Sequence, residues 1–236
     1  MKKIISGLLV SSVTLGLGLS VRAATTVNDD KSVTSDATIT VTEGTDVTPP
    51  ENGNKPGGET GQQGPLSIDN VIVFNFEDMK LSGRTQQISL KNDGTNSSAK
   101  RNIQVTDTRG TGAGWNLQIK QSPLVNANNE ELKGAYISMT AGKVEAGSQN
   151  VSPELAPTTQ AYGDEGTLNS SLAPIFTAAK GNGLGTWISW YNSTAEDPNG
   201  TVTDVQLNVP SGNKTGDYSG TVTWVLNDNP GASEAQ

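Results

Sequence analysis

From Leu66 onward the chain alternates. In LSIDNVIVFNF, Leu66, Ile68, Ile72, Phe74 and Phe76 share one parity, and Val71 and Val73 take the other. Apolar residues on both parities predict a strand buried on both faces in its second half. RTQQISL places Ile88 and Leu90 on one face, and RNIQVTDT does the same with Ile103 and Val105. In WNLQIK, Trp115, Leu117 and Ile119 oppose Asn116, Gln118 and Lys120. AYISMTAG offers Ala135, Ile137 and Met139, and TWISWY is a compact aromatic strand. VQLNVP alternates through Val205, Leu207 and Val209, and the closing run GTVTWVL through Val222, Trp224 and Leu226. These last two neighbours predict an antiparallel hairpin. The stretch from Val144 to Gly185 reads as loop, broken by Pro153, Pro157 and Pro174, with room for one helical turn at Ile175 to Ala179.

Short alternating runs with turn signals between them, and no long helical period, predict an all-β fold. The expected form is an antiparallel β-sandwich or barrel-like domain with long loops, over residues 65–236. Residues 24–64 contain TPPENGNKPGGETGQQGP, which has no periodic apolar face and predicts a disordered linker. Within it, ATITV (Ala37 to Val41) alternates weakly and has the pattern of an edge strand. Residues 1–23 read differently again. Lys2 and Lys3 precede an apolar stretch from Ile4 to Leu19, and Val21-Arg22-Ala23 suits cleavage after Ala23. That is the build of a secretory signal peptide, so the expected product is secreted.

Composition narrows the function. The whole chain carries a net charge of −8, and loss of Lys2, Lys3 and Arg22 takes it to −11. An acidic export product is a poor electrostatic partner for nucleic acid or anionic lipid, and is repelled by polyanionic wall polymers. No later segment approaches the ~20 apolar residues of a spanning helix, so no membrane insertion is expected after cleavage. With no cysteine in the chain, a domain of about 165 residues must rely on its core alone. A disulfide-free secreted protein suits a Gram-positive exporter. With no histidine, Ser-His-Asp and Cys-His nucleophiles and His-liganded zinc are excluded.

Carboxylate chemistry is what remains. Acidic pairs stand at Glu77-Asp78, Glu130-Glu131, Asp164-Glu165 and Glu196-Asp197, and read as solvated loop charges rather than a catalytic pair. Asn92 to Asn96 and Glu196 to Thr201 hold oxygen ligands around a glycine but lack the full calcium-loop spacing. Asn192-Ser193-Thr194 is an N-glycosylation sequon in form only. No enzyme activity, cofactor or metal is expected. The tryptophans carry more information. Trp115 and Trp224 each begin a W-x-L run, and tryptophan and leucine two apart in a strand share a face. That suits a core knob, and it also suits an aromatic platform for a sugar or a protein partner. Trp187 and Trp190 have opposite parity, so one of them is the better candidate for a surface aromatic.

Two W-x-L runs, in GAGWNLQIK and GTVTWVLNDNP, follow a signal-like N-terminus, a Thr/Pro/Gly-rich segment and the opening GPLSIDNVIVFNFEDMKLSGRTQQISL. In this arrangement, from Leu66 to Pro230, the chain resembles WxL-domain cell-surface proteins of low-GC Gram-positive bacteria. The resemblance implies a non-catalytic domain held at the cell surface without a covalent bond, associated with peptidoglycan or another wall glycan. It also implies a complex with membrane-anchored surface proteins of the WxL-interacting kind. The motif residues carried over are Trp115, Asn116, Leu117, Trp224, Val225 and Leu226, with Trp187 and Trp190 added as aromatic candidates; a structural role for the motif residues stays open. GASEAQ has neither the hydrophobic tail nor the basic end of a sortase signal, in keeping with non-covalent attachment. Two rival readings remain: a secreted carbohydrate-binding module or lectin for host or dietary polysaccharide, and an interaction subunit recruited only through a partner protein.

Overall fold

A computed structural model describes residues 25–29, 31–51, 58–91, 101–163, 171–191 and 204–231. The expected signal peptide, the candidate calcium loops, the sequon and the acidic pairs at 164–165 and 196–197 lie outside the described residues. The chain divides into two compact units, Met1–Val41 and Thr42–Gln236. In the first, β1 (Thr25–Asp29) pairs antiparallel with β2 (Ser32–Ser35). ATITV is not a strand. It is exposed, with Ile39 at 87% and Val41 at 84%.

The second unit is all β among its described residues, with every ladder antiparallel. One sheet holds β3 (Leu66–Asn70), β5 (Asn102–Asp107), β11 (Gly185–Trp190) and β8 (Lys143–Ala146), in that order. A second has the order β4 (Gln86–Ser89), β12 (Val205–Val209), β7 (Tyr136–Met139). The third runs β13 (Val222–Asn227), β6 (Trp115–Gln121), β10 (Ala173–Ala178), β9 (Thr158–Thr159). The alternating apolar residues of all three sheets meet in one cluster, from Ile68, Val105 and Trp187 through Leu117, Ile119 and Phe176 to Ile137 and Leu207. This is the sandwich-like core that the alternation predicts.

Three local expectations give way. Ile175 to Ala179 is not a helical turn, because β10 covers most of it. A bulge between Pro174 and Phe176 leaves Ile175 as an extra residue, so Ile175 and Phe176 are both fully buried. The bulge hides the two-residue period. VQLNVP and GTVTWVL do not form a hairpin, since β12 pairs with β4 and β7 while β13 pairs with β6. The residues from Pro210 to Thr221 are long enough to change sheets. The apolar run after Leu66 is not one strand. Its ladder ends at Asn70, and the chain then joins the edge of β4, with the Glu77 amide donating to Ser89 O at 2.9 Å and the Lys91 amide to Asn75 O at 2.6 Å.

The residues before β3 also bind the first sheet. The Gly44 amide donates to Thr108 O at 3.4 Å, Glu51 N to Gln104 Oε1 at 2.9 Å, and the Val71 amide to Gly58 O at 2.9 Å. Beneath them lies a buried polar cluster. Asp69, 2% exposed, accepts from Ser67 Oγ (2.6 Å), Thr106 Oγ1 (2.6 Å) and Gln104 Nε2 (2.9 Å). Burial raises the Asp69 carboxyl above its ordinary 3.8, with the three donors pulling the other way. The native chain therefore holds this proton more tightly than the unfolded one. Between the ordinary value and the raised one, stability falls as pH rises, and it levels off above the raised value. Asp69→Asn removes that titration. The stability advantage of the wild type over D69N is expected to shrink as pH goes from about 4 to 7. Urea unfolding of both chains across that range measures it, and a pH-independent difference would contradict it.

Candidate functional site

The two W-x-L runs are neighbours. β13 pairs with β6 so that Leu226 faces Leu117, Trp224 faces Ile119 and Asn227 faces Asn116. Leucine opposite leucine in an antiparallel pair sends the two tryptophans in opposite directions along the strands. At ~3.4 Å per residue they stand about 14 Å apart along the sheet, on the same core-facing side.

Their surroundings differ. Trp115 is fully buried, meets Phe176 edge-on (centroids 4.9 Å apart, planes at 84°), and donates Nε1–H to Gly183 O at 3.1 Å. Two glycines allow the close packing here, Gly183 against the indole itself and Gly114 against the backbone of Ala178 and Ala179. Gly114 has φ +81°, and a Cβ there would strike Ala178 O; Gly183 has φ +78°, and a Cβ there would lie 2.6 Å from Trp115 Nε1. Trp224 is half-buried and stacks on Phe74, with centroids 6.1 Å apart and planes 20° apart. The middle residues face the other way. Asn116 Oδ1 accepts from Thr177 Oγ1 at 3.2 Å, and Val225 lies opposite Gln118, whose Oε1 accepts from Asn227 Nδ2 at 3.1 Å.

Arg109 ties the two runs together. Its guanidinium grips buried Asp107 through Nε (2.9 Å) and Nη2 (2.7 Å), and also reaches Gly114 O (2.8 Å) and Asp228 O (3.2 Å). One side chain thus fixes the residue before Trp115 and the residue after Asn227. Sequence reasoning missed it; the D-x-R spacing in TDTRG is the signal that was available.

Trp187 and Trp190 do lie on opposite faces of β11, as parity requires. Neither is a surface aromatic, at 1% and 6% exposed. Trp187 joins the main core, with Nε1 donating to Leu184 O at 2.9 Å. Trp190 is held on the other side by Glu145 Oε2, 2.8 Å from its Nε1.

An open cleft of about 740 Å³ lies between residues 74–81 and residues 214–222. Phe74, Phe76 and Tyr218 are its half-buried aromatics, over a floor that includes Ile137 and Leu207. Lys80 and Lys214 share its rim with Glu77, Asp78 and Asp217. Lys214 pairs with Glu130, and with Asn126 holds that carboxyl below its ordinary value. Phe74 links the cleft to the second motif by stacking on Trp224. Among the described residues no three acidic side chains gather where they could hold a metal.

An all-β domain with its paired motifs packed inward and an open aromatic cleft has the build of a binding domain. The chain belongs to the WxL family: the model for the WxL domain, a surface cell wall-binding domain, matches residues 28–230. That family is one of surface binding, not of enzymes. No curated protein and no solved structure matches the chain.

Proposed function

We propose that this domain holds its chain at a Gram-positive cell wall without a covalent bond, and that the aromatic cleft, not either W-x-L run, touches the peptidoglycan. The carrying observation is the contrast between Trp115, packed away at 0% exposure, and the half-buried Phe74, Phe76 and Tyr218 open to a 740 Å³ cleft. Aromatic faces suit the apolar faces of sugar rings, and a rim of both charge signs suits the zwitterionic stem peptides of a wall polymer. The acidic chain, at −8 overall, argues against attachment through polyanionic wall components. In this reading residues 1–23 are the export signal and the motif residues shape the domain that carries the cleft.

Tyr218→Ala is the test, because Tyr218 sits on a loop and its hydroxyl bonds only to Lys214 O among the described residues. Retention on purified sacculi is expected to weaken about tenfold or more, a change of about 1.4 kcal/mol, with the melting temperature close to wild type. Unchanged retention would sink the cleft. Wild-type chain that fails to bind partner-free sacculi would point instead to recruitment through a membrane-anchored surface protein. Binding confined to plant or host glycans would favour the lectin reading.

A further inference from the structure

Most sheet edges in the second unit are guarded. Backbone bonds from Gly58 and Thr60 cover part of the β3 edge, Asn75 and Glu77 cover β4, and Tyr162 bridges to Met139 at the end of β7. The β8 edge strand carries exposed charges at Lys143 and Glu145, and β9 is two residues long. These are the usual devices against edge pairing. β13 has none of them. It is a six-residue strand, VTWVLN, with no charge and no proline, paired on one side only.

The phase of its ladder follows from one bond. Ser122 N donates to Thr221 O at 2.8 Å, so Thr221 and every second residue after it turn their backbone groups toward β6. Val222, Trp224 and Leu226 therefore aim N–H and C=O away from the sheet, and no hydrogen bond among the described residues uses them. Beyond them the edge is closed where Arg109 takes Asp228 O at 3.2 Å.

We propose that this edge pairs with the same edge of a second copy of the chain, about a twofold axis through Trp224. The strand is self-complementary in that register. Val222 falls opposite the partner copy's Leu226, Trp224 opposite Trp224, and Thr223 beside Val225. All three outward residues then exchange both backbone bonds, as an isologous contact requires. Apolar residues meet apolar residues on the core side, and no like charges oppose each other anywhere along the strand. The two β13-β6-β10-β9 sheets become one continuous sheet. Val222 borders both the edge and the cleft, but the pairing uses its backbone groups and the cleft uses side chains. Tyr218→Ala therefore tests the cleft alone, and either reading stands if the other fails.

The full chain is expected to sediment as a dimer at micromolar concentration. At that concentration the amides of Val222, Trp224 and Leu226 exchange hydrogen on the order of tenfold more slowly than on dilution. Those of Thr223 and Val225, already in the β6 ladder, do not change. Thr223→Lys with Val225→Lys sets like charges opposite each other and is expected to give monomer. The same positions changed to glutamate give monomer too, and mixing the two variants restores a dimer. A wild-type chain that stays monomeric at ~100 μM overturns the proposal, because self-association of this kind should be populated there. So does a dimer that survives the lysine pair, or protection of the three amides that does not depend on concentration.

Discussion

Trp115→Ala is expected to lower the unfolding free energy by about 3–5 kcal/mol, the range for a fully buried aromatic. The loss has two parts. The indole fills the end of the core against Phe176 and lies directly against Gly183, which has no side chain to close the gap. The carbonyl of Gly183 also loses the donor 3.1 Å away. Trp224→Ala should cost about half as much, because that indole is half-buried and already touches the cleft through Phe74. Urea unfolding of the two variants side by side decides it. A larger effect at Trp224 than at Trp115 would mean that the burial contrast between the motifs is wrong.

Arg109→Ala should be nearly as costly, at about 3 kcal/mol or more. Asp107 has no exposed side-chain surface, while its arginine partner keeps 13%. Removing the guanidinium strands a carboxylate in a place that water does not reach, and frees the carbonyls of Gly114 and Asp228 as well. Arg109→Lys should fall between, since one ammonium cannot serve four acceptors spread around a planar fork. Because the pair is shielded, added salt should change the loss little. Unfolding of the three chains at low and high salt tests this. A variant within about 0.5 kcal/mol of wild type would show the contact to be a surface ornament.

Much of the architecture was legible because a half-buried strand writes its period into the sequence. WNLQIK, RNIQVTDT and VQLNVP each became the strand their alternation described. The failures have physical causes. The bulge after Pro174 buries two consecutive residues, so β10 lost the period that would have marked it. β12 and β13 are adjacent in sequence but belong to different sheets, a choice made by the loop between them and not by either strand. Gln104 and Asp69 hold their partners by hydrogen bonds in a polar cluster that leaves no hydropathy signal. The W-x-L runs were visible as motifs, but not as neighbours. Nothing local says that Leu117 and Leu226 face each other. The cleft was the least visible, since Phe74 and Tyr218 meet only after distant segments converge.

The meeting of the two W-x-L runs also orders events in time. Gln118 and Asn227, which bond across that seam, are 109 residues apart along the chain. β6 therefore waits with one side unpaired while everything between them is delivered, and β13 closes the sheet last. Contacts at such separation form late and slowly. Until β13 docks, β6 keeps one edge open, and the second motif is the latch that completes the sheet.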